Sequence, residues 1–303
     1  MSLSPEQASL YVESQGQQIH LRHIRASNVN KDAIVTPIFM VHGAIENGRI
    51  FYTESGKGLA CFLAKQGFDV YVMDMRGRGK SKPTMSASSD YGQFETINQD
   101  IPACIDFIFE RSRQPMHLIC HSWGGVLLAS LLIRHPHYLD KVRSNVCFGT
   151  KRSIYRRSFE KWFKVNLVWN RFAPMMAKRH GFFDAKRLGI GADSESKMSL
   201  DECIAWVNKG PWIDPRDGFD YGSAAEHTHW PPTWHLTGIK DLVLGYRGDV
   251  QRFIDECRNE NAKFSLLSKQ NGNMVDYDHN DILTHRLAVD DHFPVLLNWL
   301  KQH

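Results

Sequence analysis

Long apolar segments are absent from this chain of 303 residues. A helix that crosses a bilayer needs about 18 or more consecutive apolar residues, and the longest apolar runs here have only the length of strands. Residues 1–10 include Glu6 and Gln7, where a secretory signal peptide would have basic residues and then an apolar run. We therefore expect a soluble protein with no stable membrane insertion and no secretory leader.

Cysteine is sparse, and its spacing excludes several classes of site. The six cysteines form no CxxC pair and no His-rich metal pattern, and several of them lie inside apolar runs. We therefore expect reduced core thiols in a cytoplasmic protein, and no metal site. The chain also has no GxGxxG segment and no phosphate-binding loop, so we expect no cofactor.

The chain also has little excess of charge of either sign. The 37 Lys and Arg against 33 Asp and Glu give a formal net charge of +4 at pH 7, and no run of basic residues is long enough for a nucleic-acid arm. Hydrophobic residues make up 42% and charged residues 23% of the chain, as in ordinary folded proteins. We expect no nucleic-acid partner, and the composition leaves a homodimer open.

Short apolar runs alternate with amphipathic segments in the first half of the chain. This alternation is typical of strands joined by helical crossovers in a mostly parallel sheet. The central runs are almost wholly apolar, as in strands covered on both faces. The predicted strands are residues 18–25, 34–41, 69–74, 116–120 and 145–148, and the predicted helices are residues 58–66, 96–113 and 124–134.

The pattern changes after residue 148. Residues 151–229 contain no convincing strand but many aromatic and basic residues, which predicts a helical cap, or lid, inserted into the α/β domain. The alternation then resumes, with strands at residues 233–236 and 263–268 and helices at residues 250–259 and 290–300. The predicted organisation is a core domain built from residues 1–150 and 230–303, with the cap before the last two strands.

A strand that runs into a Gly-Gly turn is the most informative segment. Residues 117–126 read HLICHSWGGV, an apolar strand followed by Ser122 and an apolar helix. A serine on so sharp a turn needs small neighbours two positions away on each side. Cys120 and Gly124 meet this need, although Cys120 stands where glycine is usual. A Ser-Gly turn after an ordinary strand is the alternative explanation.

A second strand ends in His42, Gly43 and Ala44, where a strand-to-helix loop can donate a backbone amide to an oxyanion. With Trp123 at the start of the helix after Ser122, this predicts an oxyanion hole formed by the Ala44 and Trp123 amides. Residues 74–81, DMRGRGKS, are similar to the D-x-R-G-x-G-x-S loop of the α/β-hydrolase superfamily. On these three motifs the chain resembles that superfamily, in particular its serine esterase, lipase and peptidase branch.

The resemblance covers roughly residues 17–148 and 230–302, and it implies a triad in the chain order Ser, acid, His. Residues 234–241, WHLTGIKD, match the loop of the family that carries the acid. Asp241 is therefore the predicted acid, with Asp249 as the alternative.

The triad base must come from the histidines near the C-terminus. His279 lies in the segment HNDIL, which is similar to the family's His-x-D-x-L, and is therefore the predicted base. The alternatives are His285, His292 and His303. We expect His285 to begin another helical turn and His292 to lie on the surface beside Pro294.

The resemblance implies a serine hydrolase that cleaves a carboxylic ester or a related acyl bond of a small, largely apolar substrate. His279 would take the Ser122 proton, Asp241 would orient the imidazole, and water would release the acyl group. His121 and His42 are expected to have structural roles. Thioesterase, peptidase, acyltransferase, C–C hydrolase and cofactor-free haloperoxidase chemistry remain alternatives, as does a non-catalytic binding module. Dehalogenase and epoxide-hydrolase chemistry is disfavoured, because those branches have Asp where this chain has Ser122.

The predicted cap is rich in aromatic side chains that either line an acyl pocket or pack the cap against the sheet. Trp162 and Trp169 are the predicted substrate contacts. The basic stretch of residues 151–164 is expected to form a solvated helix face, with contact to an anionic lipid surface as the alternative.

Overall fold

The computed structural model describes residues 5–27, 35–156, 158, 162–208 and 210–303, and of residues 162–164 it describes the backbone alone. Ten strands are present in this part of the chain. They are β1 (Glu6–Ser14), β2 (Gln17–Arg25), β3 (Pro37–Val41), β4 (Asp69–Asp74), β5 (Met116–His121), β6 (Val142–Phe148), β7 (Phe182–Phe183), β8 (Glu195–Ser196), β9 (Thr233–Gly238) and β10 (Lys263–Leu267).

The described helices lie mainly between and after these strands. The α-helices are α1 (Leu59–Lys65), α2 (Gln93–Glu95), α3 (Ile101–Ser112), α4 (Trp123–Arg134), α5 (Ala173–His180), α6 (Lys197–Val207), α7 (Tyr221–Ala225), α8 (Arg247–Glu256), α9 (Asp281–Thr284) and α10 (His292–Gln302). Short 3₁₀ turns occupy Gly48–Ile50, Pro136–Lys141 and Lys269–Asn271, and wider π-helical segments occupy Thr96–Asp100 and Trp162–Phe172.

Eight strands form one sheet in the order β1-β2-β4-β3-β5-β6-β9-β10. β2 pairs antiparallel with β1 and β4, and every other neighbouring pair is parallel. The predicted mostly parallel α/β-hydrolase sheet flanked by helices is therefore confirmed. The carboxyl ends of β3, β5, β6, β9 and β10 meet at one edge, where ligand sites of such sheets form.

Both faces of the central strands are buried, which explains their continuous apolar sequences. In β3, Phe39 and Val41 belong to the core shared with α3 and α4, whereas Ile38 and Met40 belong to the core shared with α1 and α10. Successive side chains of a strand point to opposite faces. Every position in β3 is therefore apolar because each face is covered by helices.

Strand β1 was not predicted from the sequence. It is an edge strand in which most side chains are exposed or partly exposed, so its sequence lacks the apolar run that marks a buried strand. Gln15 and Gly16 have φ angles of 48° and 74° and connect β1 to β2. Such a two-residue hairpin turn favours glycine, and this turn was the one local signal of the strand.

The predicted helix at residues 96–113 is continuous as far as Ser112 but is not α-helical throughout. The π segment Thr96–Asp100 leads directly into α3, and Pro102 lies in the first turn of α3. Proline has no amide to donate and its ring collides with the carbonyl of the preceding turn. The wider π turn accommodates the ring without ending the helical path.

Residues 151–229, called the insertion below, connect β6 to β9 and carry α5, α6 and α7. They also contain β7 and β8, which pair antiparallel, so the expectation of no strand in this segment was wrong. Two residues per strand are too few to produce a recognisable alternation. The division of the chain into a core domain and a cap stays a prediction.

The first two residues of the predicted basic stretch do not form a solvated helix face, and much of the remaining stretch lies outside the described side chains. Lys151 and Arg152 are buried and non-helical. The Arg152 guanidinium pairs with Glu256 and donates to the carbonyls of Trp206 and Gly210, each at 2.9 Å. The prediction was wrong here because these partners allow a charged side chain to be buried. Among the described residues, no helix combines the length and apolarity needed to cross a membrane.

Candidate active site

Ser122 lies on a strained turn between β5 and α4. Its φ of 51° and ψ of −123° lie in a region that residues other than glycine seldom adopt. The turn is held because the Ser122 amide donates to the Phe148 carbonyl of β6 at 2.8 Å. The side chain therefore stands at the carboxyl edge of the sheet, directly before the first turn of a helix.

Close packing behind the turn explains the small residues predicted on either side of Ser122. A Cβ on Gly124 would lie 2.4 Å from the His42 carbonyl oxygen and 2.5 Å from that of Val41. At position 120 a thiol fits, because Cys120 Sγ is directed towards β6, 3.4 Å from the Val146 carbonyl oxygen. The departure from glycine at this position therefore causes no collision.

Three predicted site residues come together although they lie on different loops. The His279 ring lies between Ser122 and Asp241, with Nε2 2.9 Å from Ser122 Oγ and Nδ1 2.5 Å from Asp241 Oδ2. The Nδ1–H donates to the carboxylate, which leaves Nε2 free to accept the serine hydroxyl proton. Burial would raise the pKa of Asp241, but the electrostatic interaction and hydrogen bond with His279 lower it below its usual value.

The alternative acid lies elsewhere. Asp249 is in the first turn of α8, and its Oδ1 accepts the Tyr155 backbone amide at 3.0 Å. It therefore holds the start of the insertion rather than the ring of His279.

The alternative bases are also remote from Ser122. His285 follows α9 and accepts the Leu287 amide through Nδ1, and His303 is exposed at the end of the chain. The expectation that His292 lies on the surface was wrong. It is 2% exposed, and its Nε2–H donates to the Ile282 carbonyl at 2.8 Å, because the first turn of α10 packs against α9. Burial lowers the pKa of His292 to about 4.

The predicted oxyanion donors face the same cavity as Ser122. Ala44 and Trp123 both line it, and neither backbone amide has an acceptor within the part of the chain that the structure describes. The Trp123 amide belongs to the first turn of α4, where helix amides have no intrahelical partner. A Cβ on Gly43 would lie 2.9 Å from Ser122 Cβ, so the loop after β3 passes directly beside the serine.

A charged pair links that loop to His279. His121 Nδ1 lies 2.9 Å from Glu46 Oε2, and His121 Nε2 lies 2.9 Å from the His279 carbonyl oxygen. Both partners only accept hydrogen bonds, so both ring nitrogens carry protons and the ring is an imidazolium. Glu46 Oε2 also accepts the Gly43 amide at 2.8 Å.

The electrostatics of this pair agree with its geometry. Burial would lower the pKa of His121, but the Glu46 carboxylate raises it above its usual value. Burial would raise the pKa of Glu46, but the His121 charge lowers it to about 2. The sequence analysis missed Glu46 and treated His121 as a packing residue. An acidic residue three positions after Gly43 was the one available signal.

His42 is held by two hydrogen bonds next to this loop. Its Nδ1–H donates to the Gly43 carbonyl at 2.9 Å, and its Nε2 accepts the Met75 amide at 3.0 Å. Burial lowers its pKa to about 4, so the ring is neutral. His42 therefore connects the loop after β3 to the loop after β4 by hydrogen bonds, which is a structural role.

The loop after β3, residues 42–47, is called the oxyanion loop below, and the insertion contacts it through β8 and Asp193. Glu195 Oε2 accepts the Ile45 amide at 3.2 Å, and its other oxygen pairs with Arg78, which donates to the Gly43 carbonyl at 3.2 Å. The Asp193 amide donates to the Ile45 carbonyl at 3.0 Å. Ile45 has a φ of 50°, which is strained for a β-branched residue. The sequence analysis did not predict these contacts, which hold the strained loop in place.

A cavity of about 400 Å³ opens between this loop, the insertion and the catalytic edge of the sheet. Ser122 and His279 both line it, and most of its wall is apolar. The apolar lining includes Ile45, Ile50, Ile154, Val165, Trp169, Ile190, Val207 and Leu244. The polar lining includes Asn47, Arg49, Lys151, Asn280 and Thr284.

The described aromatic residues of the insertion divide between the cavity and the core. Trp169 lines the cavity, whereas the side chain of Trp162 lies outside the described residues. Trp206 and Trp212 are buried and pack edge-on to each other and against Tyr221. Many of the rings in the insertion therefore serve packing.

Other chemistry-bearing residues are also accounted for. All six cysteines are free and buried. In the described ranges, no three or more His, Cys, Asp or Glu side chains are grouped so that they could hold a metal ion.

Comparisons with known proteins identify related lipases and a solved structure with the same fold. The chain is 23% identical to Lipase 3 of Drosophila melanogaster over 73% of its own length and 72% of that protein. It is 22% identical to gastric triacylglycerol lipase of Bos taurus over 81% of its own length and 75% of that protein. A solved monoglyceride lipase of Saccharomyces cerevisiae, in a soluble variant, superposes with a TM-score of 0.70 and 15% identity, covering 100% of this chain and 97% of the other, which shows a common fold.

The sequence profile described as serine aminopeptidase, S33, matches residues 32–198, more than half of the chain. The matched region holds β3, the Ser122 turn, the insertion through β8 and both predicted oxyanion residues. The chain is thus a hydrolase that belongs to the serine aminopeptidase S33 family of the α/β-hydrolase superfamily.

Proposed function

We propose that this protein is a serine hydrolase that cleaves carboxylic esters of small, largely apolar substrates through an acyl-enzyme. The observation that carries the proposal is the hydrogen-bonded chain Ser122–His279–Asp241 in the wall of an apolar cavity. Ester hydrolysis in general is supported by the lipase relatives.

The steps follow from the positions of the atoms. His279 Nε2 removes the hydroxyl proton of Ser122 as Oγ attacks the acyl carbon, and the Asp241 carboxylate stabilises the imidazolium that forms. The oxyanion is bound by the amides of Ala44 and Trp123, which have no acceptor among the described residues and are positioned before the reaction begins. His279 then protonates the leaving alcohol and activates the water that releases the acid.

The charge of the cavity favours an ester over an N-terminal peptide. An aminopeptidase must bind the ammonium group of its substrate, and a carboxylate is the usual partner for such a group. Among the described lining residues, Glu46 is the single carboxylate, and it is already paired with His121. A charged substrate amine would therefore meet no free acidic group among the described residues of the lining.

A labelling and turnover experiment tests the proposal. We expect a fluorophosphonate to label Ser122 and p-nitrophenyl butyrate to be hydrolysed. Ser122→Ala and His279→Ala should each lower kcat/KM by about three to six orders of magnitude, because the two residues act as a unit. His285→Ala removes a histidine that is remote from Ser122 and should stay near wild type.

Two results would contradict the proposal. Turnover that persists in Ser122→Ala would exclude Ser122 as the nucleophile. Inactivation by His285→Ala with an active His279→Ala would show that the base is assigned to the wrong histidine.

A further inference from the structure

A buried lysine faces the candidate active-site cavity. Lys151 is the third residue after β6, is 5% exposed, and lines the cavity together with Ser122 and His279. Its ammonium has no ion-pair partner within 4 Å and no hydrogen-bond acceptor in the part of the chain that the structure describes. The Trp123 ring lies below it, with its centroid 5.9 Å from Nζ.

An ammonium in such a position is costly, because it has lost water without gaining acceptors for its three N–H groups. Burial lowers the pKa of Lys151, and the charges of Asp241 and Asp249 act in the opposite direction. Those carboxylates attract the lysine from a distance, but their oxygens accept no hydrogen bond from it. The free donors therefore point to a ligand rather than to a completed internal ion pair.

The segment that carries Lys151 runs beside the predicted base. A Cβ on Gly149 would lie 3.0 Å from both Cε1 and Nδ1 of His279, and Lys151 follows two residues later. Lys151 therefore lies in the wall of the same cavity as Ser122 and His279.

The remaining charges of the cavity favour an anion as that group. Glu46 is neutralised by His121, and Arg49 is paired with Glu54. The unpaired charge in the described lining is therefore positive. One ammonium in a mostly apolar cavity balances a single negative charge, whereas a phosphate dianion is usually bound by several donors.

We propose that Lys151 binds a carboxylate of the substrate, so that the preferred substrate is an apolar ester with a free carboxylate near the scissile bond. This inference rests on the proposed ester hydrolysis and specifies its substrate class. The carboxylate can belong to the acyl half, as in a monoester of a dicarboxylic acid, or to the alcohol half.

Two pairs of esters of matched size distinguish these sources. The first pair is p-nitrophenyl monoglutarate and p-nitrophenyl pentanoate, with the charge on the acyl half. The second pair is 4-(carboxymethyl)phenyl butyrate and 4-ethylphenyl butyrate, with the charge on the alcohol half. For each pair, the measured quantity is kcat/KM of the anionic ester divided by kcat/KM of the neutral ester. It is measured in wild type, Lys151→Met, Lys151→Gln and Lys269→Met. The last variant is the control, because it removes an exposed charge outside the cavity.

We expect the wild-type ratio to exceed one for one of the pairs. In Lys151→Met and Lys151→Gln that ratio should fall by about 10- to 100-fold, the effect of losing one charge-assisted hydrogen bond. Lys269→Met should leave the ratio unchanged. Because each value is a ratio within one variant, a partial loss of folded enzyme does not alter it.

The outcomes separate the two proposals. If neutral esters are hydrolysed but the wild-type ratio is below one for both pairs, only the proposed role of Lys151 is overturned. The same conclusion follows if neutral esters are hydrolysed and both Lys151 variants leave the ratios unchanged. No turnover of any of the four esters would overturn the proposed ester hydrolysis, and this inference with it.

Discussion

At the scale of single residues, His121 shows how a charge can be stabilised next to a catalytic group. Its ring is fully buried, yet it carries two protons because Glu46 and the His279 carbonyl both accept from it. The ring centroid of His121 lies 4.6 Å from that of His279. A positive ring at this place ties the backbone of His279 to the oxyanion loop through Glu46 and Gly43.

Glu46→Gln should therefore destabilise the protein in a pH-dependent way. Because the pKa of His121 is raised in the folded protein, its pairing with Glu46 stabilises the fold fully below about pH 6.5. This stabilisation is lost as the pH rises through the folded-state pKa. Because the pKa of Glu46 is lowered in the folded protein, its carboxylate stabilises the fold fully above pH 4.5. This stabilisation is lost as the pH falls through about 2. We expect the Tm difference from wild type to be largest between pH 4.5 and 6.5, corresponding there to about 1.5–3 kcal/mol.

A matched control is Glu54→Gln, because the partners of Glu54 are the arginines Arg22 and Arg49 rather than a histidine. Its Tm difference should be small and should not narrow above pH 6.5. A Tm difference for Glu46→Gln that stays constant from pH 5 to pH 9 would show that His121 is not the charged partner.

At the scale of elements, β8 of the insertion holds the loop after β3. Ile45 keeps its strained backbone because Glu195 accepts its amide and Asp193 donates to its carbonyl. Ala44, the predicted oxyanion donor, is the preceding residue. The position of the insertion and the geometry of the oxyanion loop are therefore coupled.

Glu195→Gln tests this coupling. Loss of the charged acceptor releases Arg78 and the Ile45 amide, and we expect kcat for p-nitrophenyl butyrate to fall by about 10- to 100-fold. This is less than the cost of removing an oxyanion donor outright, which is about 10²–10³. KM should change less than kcat, because the lost interaction acts in the transition state.

Glu202→Gln is the control for this variant. Glu202 is also a buried glutamate of the insertion, but it accepts the Gln93 and Phe94 amides, away from the oxyanion loop. We expect it to lower stability with little effect on kcat. Equal losses of kcat in the two variants would show that the effect of Glu195 is general destabilisation.

At the scale of the whole molecule, the insertion closes one side of the cavity and should determine acyl-chain length. Each methylene buried in the transition state contributes up to about 0.8 kcal/mol, or roughly fourfold in kcat/KM. For p-nitrophenyl esters from acetate to laurate, we expect kcat/KM to rise, pass through an optimum at medium length and fall when the cavity of about 400 Å³ is full.

Trp169→Ala should flatten this profile, because Trp169 lines the cavity. Met175→Ala, which removes a side chain of the insertion that is 60% exposed, should leave it unchanged. A profile that favours acetate in all three proteins would show that the ring serves packing and that the preferred acyl group is small.

Local patterns in the sequence determined the buried strands of the main sheet, the turn at Ser122 and the family resemblance. Apolar runs report burial on both faces of a strand, and the Ser122 turn requires small residues at fixed neighbouring positions, so both signals lie within a few residues. The order of the motifs also indicated Asp241 and His279, whose atoms lie within hydrogen-bond distance of one another. Their roles in catalysis stay predictions until the variants are measured.

Only the tertiary structure decided which side chains are buried together. Glu46 and His121 are 75 positions apart, and Arg78 and Glu195 are 117 apart, and no periodicity in the sequence connects such residues. Lys151 looked like part of a solvated basic stretch, because sequence shows charge but not exposure. The exposed edge strand β1 and the buried His292 were misjudged for the same physical reason: burial depends on which distant elements pack against a residue.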